Sequence, residues 1–336
     1  MNHILVEKAT RNIKDILELS MKHKLTSDAL VIYDTKNGLT EILYEAYQKA
    51  LPNAVFKDFD TLTKSEILEL FAALKPNDLV VLIQTSNFRL DDFRIRLHLF
   101  NLKLKVIEHM HLYRNDETVW DVYINSLAYD KGWYDKMGQK LLGVLGELET
   151  LHIQSGNCDL IVKSGLEIPK LNTGNYDHFE NIGGTFPIGE VFTEAKNFED
   201  MNGSILVYAF ANQQFEISYY DPFKVVIENG LVIGFGENAP KEFKDIIELV
   251  KTYERPLIRE IGFGLNRAIT RQRPLGDITA FERILGMHMS LGEKHSVYKK
   301  AGIRTNKSKF HIDLFLQIDK VKADNRVIFK DGKYTL

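Results

Sequence analysis

Cysteine is nearly absent: Cys158 alone stands in 336 residues, which excludes an intramolecular disulfide and a cysteine-rich zinc site. An excess of basic charge is missing as well. The 43 Lys and Arg residues face 46 Asp and Glu, for a net charge of −3 and a sequence pI of about 6.4. The chain therefore lacks the electrostatic footprint of a nucleic-acid binder. No apolar run approaches the ~18 residues of a membrane span. The opening MNHILVEKATRNIKDILELS breaks its apolar residues with charges every few positions and does not read as a signal peptide. Repeats and low-complexity segments are absent. So are the P-loop, the G-x-S-x-G elbow, C-x-x-C and H-E-x-x-H, which removes the common nucleotide and hydrolase signatures. What remains is 44% hydrophobic and 26% charged, the balance of a soluble globular protein. A cytoplasmic location is expected, with no nucleic-acid or membrane partner. The length suggests two domains, with roughly three quarters of the unfolded surface buried.

The first half alternates between strand-like and helical runs. Residues 3 to 22 carry Ile4, Leu5, Ala9, Ile13, Ile16, Leu17 and Met21 at helical spacing, which predicts an amphipathic helix. Strands are expected at 29–33, 54–56, 79–84 and 103–107, and helices at 39–50, after Thr63 and around 90–101. Thr63 and Glu66 form a capping-box pattern, and the run LVVLIQ suits a buried parallel strand. Such alternation predicts a parallel, doubly wound sheet. The first strand-to-helix turn, YDTKNGLTE, has no G-x-G-x-x-G, so this half reads as a scaffold or lid rather than a dinucleotide site. The character changes after a helix expected at 132–149. Strands are expected at 151–154 and 160–162, and one helix at 241–253. Asn229-Gly230 and Asp331-Gly332 lie between β-rich runs as hairpin turns. The reading is an α/β N-terminal domain with a parallel sheet over residues 1–148, and a C-terminal α+β, mostly antiparallel domain over 149–336.

Chemistry-bearing residues concentrate in that second half. His311 and Asp313 lie two apart in KFHIDLFL, a strand-like run in which i and i+2 share a face. An imidazole and a carboxylate on one face make a half-site for zinc, manganese, cobalt or iron; the same pattern also describes an exposed strand face. His288, in GMHMSLGEKH, is flanked by methionines and followed by His295 and Tyr298. A core or loop histidine is the competing reading there. Glu190 sits in FPIGEVF, in a Gly/Pro turn entering an apolar strand, and Glu260 in REIGFGLN, among glycines and apolar residues. Charged residues are rarely buried unless paired or bound to metal, and Arg259 is the alternative partner for Glu260. Together Glu190, Glu260, His288, His311 and Asp313 offer five ligands, which makes the C-terminal half a metal-binding domain. A carboxylate-rich set suits a centre of two divalent ions, which activates a water and polarises a carbonyl.

The strings NIGGTFPIGEVFTEAKN, REIGFGLNRAI, GMHMSLG and FHIDLF, in that order, resemble the M29 family of metallo-aminopeptidases, of the aminopeptidase T type. The resemblance covers about residues 150 to 320. The segment GNCDL resembles the family's G-T-D-L strand, with Cys158 in place of threonine. The resemblance implies that Glu190 is the bridging glutamate and Glu260 the ligand of the E-x-G-x-G-x-N stretch. It matches His288 to the histidine of H-x-x-L-G, and His311 and Asp313 to the terminal H-x-D. It implies release of an N-terminal residue from a peptide by a metal-activated water, two zinc, cobalt, manganese or magnesium ions, and a homodimer. Two positions depart from the pattern. Where the family carries a further glutamate, this chain has Arg283, with Glu282 one residue earlier. A one-residue slip on a helix turns a side chain by about 100°, which leaves Glu282 a secondary candidate. Where the family has its catalytic tyrosine, this chain has His295, with Tyr298 shortly after; either is a candidate for stabilising the tetrahedral intermediate.

The same fold also resembles 2,5-dihydroxypyridine dioxygenases, which cleave a small-molecule ring with one Fe(II) held by two histidines and a carboxylate. His311 and Asp313 with His288 or His295 meet that requirement, whereas the presence of both Glu190 and Glu260 favours the hydrolase. A non-catalytic binding protein on this fold is the third reading. The basic stretch Lys294, Lys299, Lys300, Arg304, Lys307 and Lys309 reads as a solvated loop, or as a contact for a substrate carboxylate or phosphate.

Overall fold

The computed structural model describes residues 2–24, 26–91, 93–212, 216–295, 297–303 and 307–336; Arg304 of the basic stretch lies outside the described residues. The chain gathers into two compact units. The first comprises the chain through Tyr134 together with Gly174–Ile188 and Arg271–Ala280. Its centre is a five-stranded sheet in the order Val55–Asp58, Ala29–Tyr33, Leu79–Ile83, Lys105–His109, Gly183–Thr185. Every pairing in it is parallel. Leu79–Ile83 is buried at all of its positions, as a strand covered on both faces must be. The helix Gly38–Ala50 is started by Asn37 with Thr40, and Lys64–Ala72 by Thr63 with Glu66, in reciprocal caps. An N-cap side chain of this kind contributes about 1 kcal/mol.

Three local outcomes differ from the sequence expectation for reasons of backbone geometry. The first helix is α-helical over Asn2–Asp15 and widens to a π turn over Ile16–Ser20. The helix expected around 90–101 is confined to Ile95–Asn101, because Asp91 holds φ at 55°, outside the helical region, and Leu90 bridges to Phe93. The fifth strand, Gly183–Thr185, opens on two glycines and has Thr185 as its one β-branched residue. A Cβ on Gly183 would lie 1.9 Å from the Val106 carbonyl oxygen, so glycine is what lets this backbone close on its neighbour.

The second unit, Asp135–Thr173, Gly189–Thr270 and Phe281–Leu336, contains one 13-stranded sheet whose pairings are antiparallel. Asn229-Gly230 and Asp331-Gly332 close hairpins as expected. Both residues of each turn hold positive φ, 52° and 74° in the first, 51° and 74° in the second, which is type I′ geometry. The helix Lys241–Tyr253 buries Phe243, Ile246, Ile247 and Val250, one stripe at helical spacing. Phe243 meets Phe210 and Phe223 of the sheet at ring-centroid distances of 5.3 and 4.9 Å. Burying side chains of this size contributes about 1.5–3 kcal/mol each. Among the described residues, no helix is long and apolar enough to cross a membrane.

Candidate metal centre

Strand register brings the chemistry together. Four strands of the second unit lie side by side in the order Ile312–Leu316, Gly286–Leu291, Ile258–Gly264, Glu190–Thr193. Glu260 pairs with Ser290, and Ser290 with Asp313, so three strands set these residues in one row. The next row is Gly262, His288 and Phe315. Residues two apart on a strand share a face, so Glu260, His288 and Asp313 project to one side, and His311 precedes Asp313 by two. Glu190 enters from the fourth strand, opposite Gly264. Gly262 makes room for the imidazole: a Cβ there would lie 2.1 Å from His288 Cε1 and 2.3 Å from its Nε2.

The result is a cluster of carboxylates and imidazoles. Ligand atoms of Glu190, Glu260 and His288 lie within 4.8 Å of one another, as do those of Glu260, His311 and Asp313, and those of Glu282, His288 and Asp313. His288 Nε2 stands 3.2 Å from Glu190 Oε1 and 3.6 Å from Glu260 Oε1. Neither ring nitrogen of this fully buried histidine makes a hydrogen bond among the described residues. Buried polar atoms are almost always satisfied, and an imidazole Nε2 set between two carboxylates off the line of a hydrogen bond fits a divalent cation. The surroundings also orient the ligands. His311 Nδ1 donates to the Lys294 carbonyl at 3.1 Å, which leaves Nε2 toward Asp313, 3.5 Å from Oδ1. The Ser290 hydroxyl donates to Asp313 Oδ1 at 2.6 Å. Outer hydrogen bonds of this kind fix the tautomer and angle of metal-binding side chains.

Arg283 lies inside the cluster. It is 5% exposed, its Nη1 lies 2.8 Å from Glu190 Oε2, and it also pairs with Glu282. The short helix here ends at Phe281. The rotation that makes Glu282 a secondary candidate on a continuous helix therefore does not apply, and Glu282 joins His288 and Asp313. Burial lifts the Glu282 carboxyl well above the usual carboxylate range; Glu190 and Asp313 add to the rise and Arg283 opposes it. At His288 burial favours the neutral ring, but Glu190, Glu260 and Asp313 outweigh it and hold the imidazolium well above its ordinary pKa. At Glu260 burial pushes upward, while His288 and His295 prevail and hold the carboxyl well below its ordinary value. The raised values at Glu282 and His288 record the neighbouring carboxylates, and the lowered one at Glu260 the imidazoles beside it.

Arg259, the alternative partner expected for Glu260, bonds elsewhere, since neighbours on a strand point to opposite faces. Its Nε lies 2.5 Å from Glu194 Oε2, with both side chains fully buried. Its other nitrogens donate to the carbonyls of Glu293 at 2.9 Å and Tyr298 at 2.8 Å, which pins the loop carrying His295. There the backbone N–H groups of Val297 and Tyr298 donate to His295 Nδ1 at 3.1 and 3.3 Å. The neutral ring thus carries its proton on Nε2, 2.9 Å from Glu260 Oε2 though off the line of a hydrogen bond.

The structure brings Glu190, Glu260, His288, His311, Asp313 and His295 together. The Tyr298 ring packs against that of His295, with centroids 5.2 Å apart, but its hydroxyl donates to the Ile168 carbonyl at 2.6 Å. In the basic stretch, Lys300 is tied to Glu167 and to the Lys196 carbonyl, and the Lys309 ammonium sits 3.7 Å from the centroid of the Tyr253 ring. Sequence reasoning missed Ser290 and Glu194. Ser290 follows His288 by two on the same strand, so the two-residue period would have flagged it. Glu194 follows an apolar strand and carries no comparable signal.

Comparison with known proteins sets this geometry in context. No protein-family model matches the sequence, and no curated protein matches it either. Among solved structures, the chain is similar to 2,5-dihydroxypyridine dioxygenase from Pseudomonas putida KT2440, with a TM-score of 0.63 and 16% identity over 100% of this chain and 98% of that one. It is also similar to AmpT from Thermus thermophilus, an M29 aminopeptidase, with a TM-score of 0.62 and 11% identity over 98% of this chain and 99% of that one. The chain therefore shares one fold with both, as the motif resemblance implied.

Proposed function

We propose that the protein is a metal-dependent hydrolase, that the carboxylates and imidazoles of this cluster hold its divalent ion, and that it releases the N-terminal residue of a peptide. The observation that carries this reading is the composition of the ligand sets. Each of the three groups within ligand distance joins one histidine to two carboxylates. Oxygen-rich sets suit zinc, cobalt, manganese or magnesium, whereas the ferrous oxygenase triad takes two histidines and one carboxylate. Held there, a divalent ion would polarise a carbonyl and lower the pKa of a water into the neutral range. The chain's own groups do the rest. The Lys294 carbonyl and Ser290 hold His311 and Asp313 in a single orientation. His295, with its proton on Nε2, offers a donor beside Glu260 to a developing oxyanion. One such donor is worth about 2.7–4 kcal/mol. The fold shared with AmpT supports a peptide as the substrate.

The test is an assay of short peptides and aminoacyl anilides, with zinc, cobalt, manganese or magnesium restored after chelation. Release of the N-terminal residue is expected, abolished in His311→Ala and lowered about 10²–10³-fold in kcat in His295→Phe. One observation favours a second reading. His288, His295 and His311 all stand close to Glu260 or Asp313, so two imidazoles and a carboxylate are at hand for Fe(II). Consumption of 2,5-dihydroxypyridine under oxygen by the Fe(II)-loaded protein, with no peptide cut under any metal, would overturn the hydrolase.

A further inference from the structure

We propose that the Arg283 guanidinium takes the place of a second cation, so that the cluster accepts one divalent ion, on Glu260, His311 and Asp313. The proposal rests on the metal-dependent reading above and narrows it.

The argument begins with which carboxylates are already claimed. Arg283 is buried, lies 2.8 Å from Glu190 Oε2 through Nη1, and pairs with Glu282 through the same nitrogen. An arginine side chain does not give up its proton inside a protein, so its charge there is permanent. Of the three ligand groups, one contains Glu190 and another contains Glu282. An ion entering either group would share a carboxylate with the guanidinium and lie beside its fixed positive charge. Only the group of Glu260, His311 and Asp313 is free of Arg283.

That free group is also the one with built supports. The Lys294 carbonyl accepts from His311 Nδ1 and turns Nε2 toward Asp313; Ser290 holds Asp313 Oδ1. His288 has no such support at either nitrogen. A second dication would also face the Arg283 guanidinium across a carboxylate that the guanidinium already holds. Arg283 would then set both the stoichiometry and the place of the ion.

Manganese content and electron paramagnetic resonance test this without any substrate. The wild-type chain, stripped and dialysed against Mn(II), is expected to hold one ion per chain with the spectrum of an isolated Mn(II). Arg283→Ala is expected to hold two, with the broadened spectrum of a coupled pair, and Arg283→Lys one. Glu190→Gln is expected to keep the ion, and Asp313→Asn to lose it. Two ions in the wild type would overturn the proposal while leaving the metal-dependent reading intact. A single ion in soluble Arg283→Ala would overturn the part given to the guanidinium. Where Arg283→Ala does not fold, the other pair decides: an ion lost from Glu190→Gln but kept in Asp313→Asn contradicts the assignment. No ion in the wild type with manganese, zinc, cobalt or Fe(II) would remove the metal-dependent reading itself.

Discussion

Replacing Gly262 by alanine tests the packing on which the cluster depends. Gly262 sits mid-strand, directly across from His288, and both positions are buried. An added Cβ would come within 2.1 Å of His288 Cε1, 2.3 Å of Nε2 and 2.7 Å of Nδ1. Real Cβ atoms do not approach that closely, so the ring must move. It is fully buried among Glu190, Glu260 and Phe315, with no solvent to move into. Overpacking of this kind costs about 1–3 kcal/mol, which is roughly 2–12 °C in Tm for a unit of this size. Gly234 is the control. It also lies in a strand, and a Cβ there meets nothing within 4 Å, so alanine is expected to be neutral or slightly stabilising. Urea unfolding of both variants measures the difference. In a His288→Ala background the Gly262→Ala penalty should largely vanish, giving a coupling of about 1–3 kcal/mol in the double-mutant cycle. A Gly262→Ala protein as stable as wild type, or a penalty unchanged by His288→Ala, would refute the claim that this glycine exists to admit the imidazole.

Two further outcomes follow from buried groups. Glu194→Leu leaves the Arg259 guanidinium buried without its carboxylate, which costs about 3–5 kcal/mol and loosens the loop from Glu293 to Tyr298; urea unfolding and limited proteolysis report both, and a loss below about 1 kcal/mol would contradict the pairing. His109 lies fully buried between the Tyr47 and Tyr123 hydroxyls, each 2.9 Å away, and burial pushes its pKa down to about 3. The folded value lies below the unfolded one of about 6.5, so the stability gained by keeping the ring neutral is present above that pH and lost as pH falls toward 3. Wild type should lose about 2 kcal/mol from this group between pH 7 and 5 and His109→Gln should not; parallel pH profiles would count against it.

Much of this architecture was legible because local chemistry and tertiary structure agree. LVVLI reads as a buried parallel strand and is one. Asn229-Gly230 and Asp331-Gly332 supply the left-handed turns that their hairpins require. The five expected ligands converge because each lies on, or just before, a strand of one sheet, where a two-residue period fixes the face. What was not legible depended on chain segments meeting at a distance. Gly183–Thr185 joins the parallel sheet through a close approach to Val106 that no propensity reveals. Arg259 could be assigned to Glu260 by adjacency, whereas the strand turns it to Glu194. The one-residue slip that leaves Glu282 a secondary candidate assumes a helix, and the helix stops one residue before it. Spacing does not rank Tyr298 against His295; only the fold shows the Tyr298 hydroxyl on the Ile168 carbonyl and His295 Nε2 beside Glu260.

The central claim is that this cluster is a site for a divalent cation. Thermal unfolding of chelated protein, with and without added manganese or zinc, tests it most directly. A ligand present at 100 times its Kd stabilises the state that binds it by about 2.7 kcal/mol. The account predicts a rise in Tm with either metal that Asp313→Asn and His311→Ala both abolish. A wild-type melting curve unmoved by manganese, zinc, cobalt and Fe(II), or a rise that survives both substitutions, would contradict it.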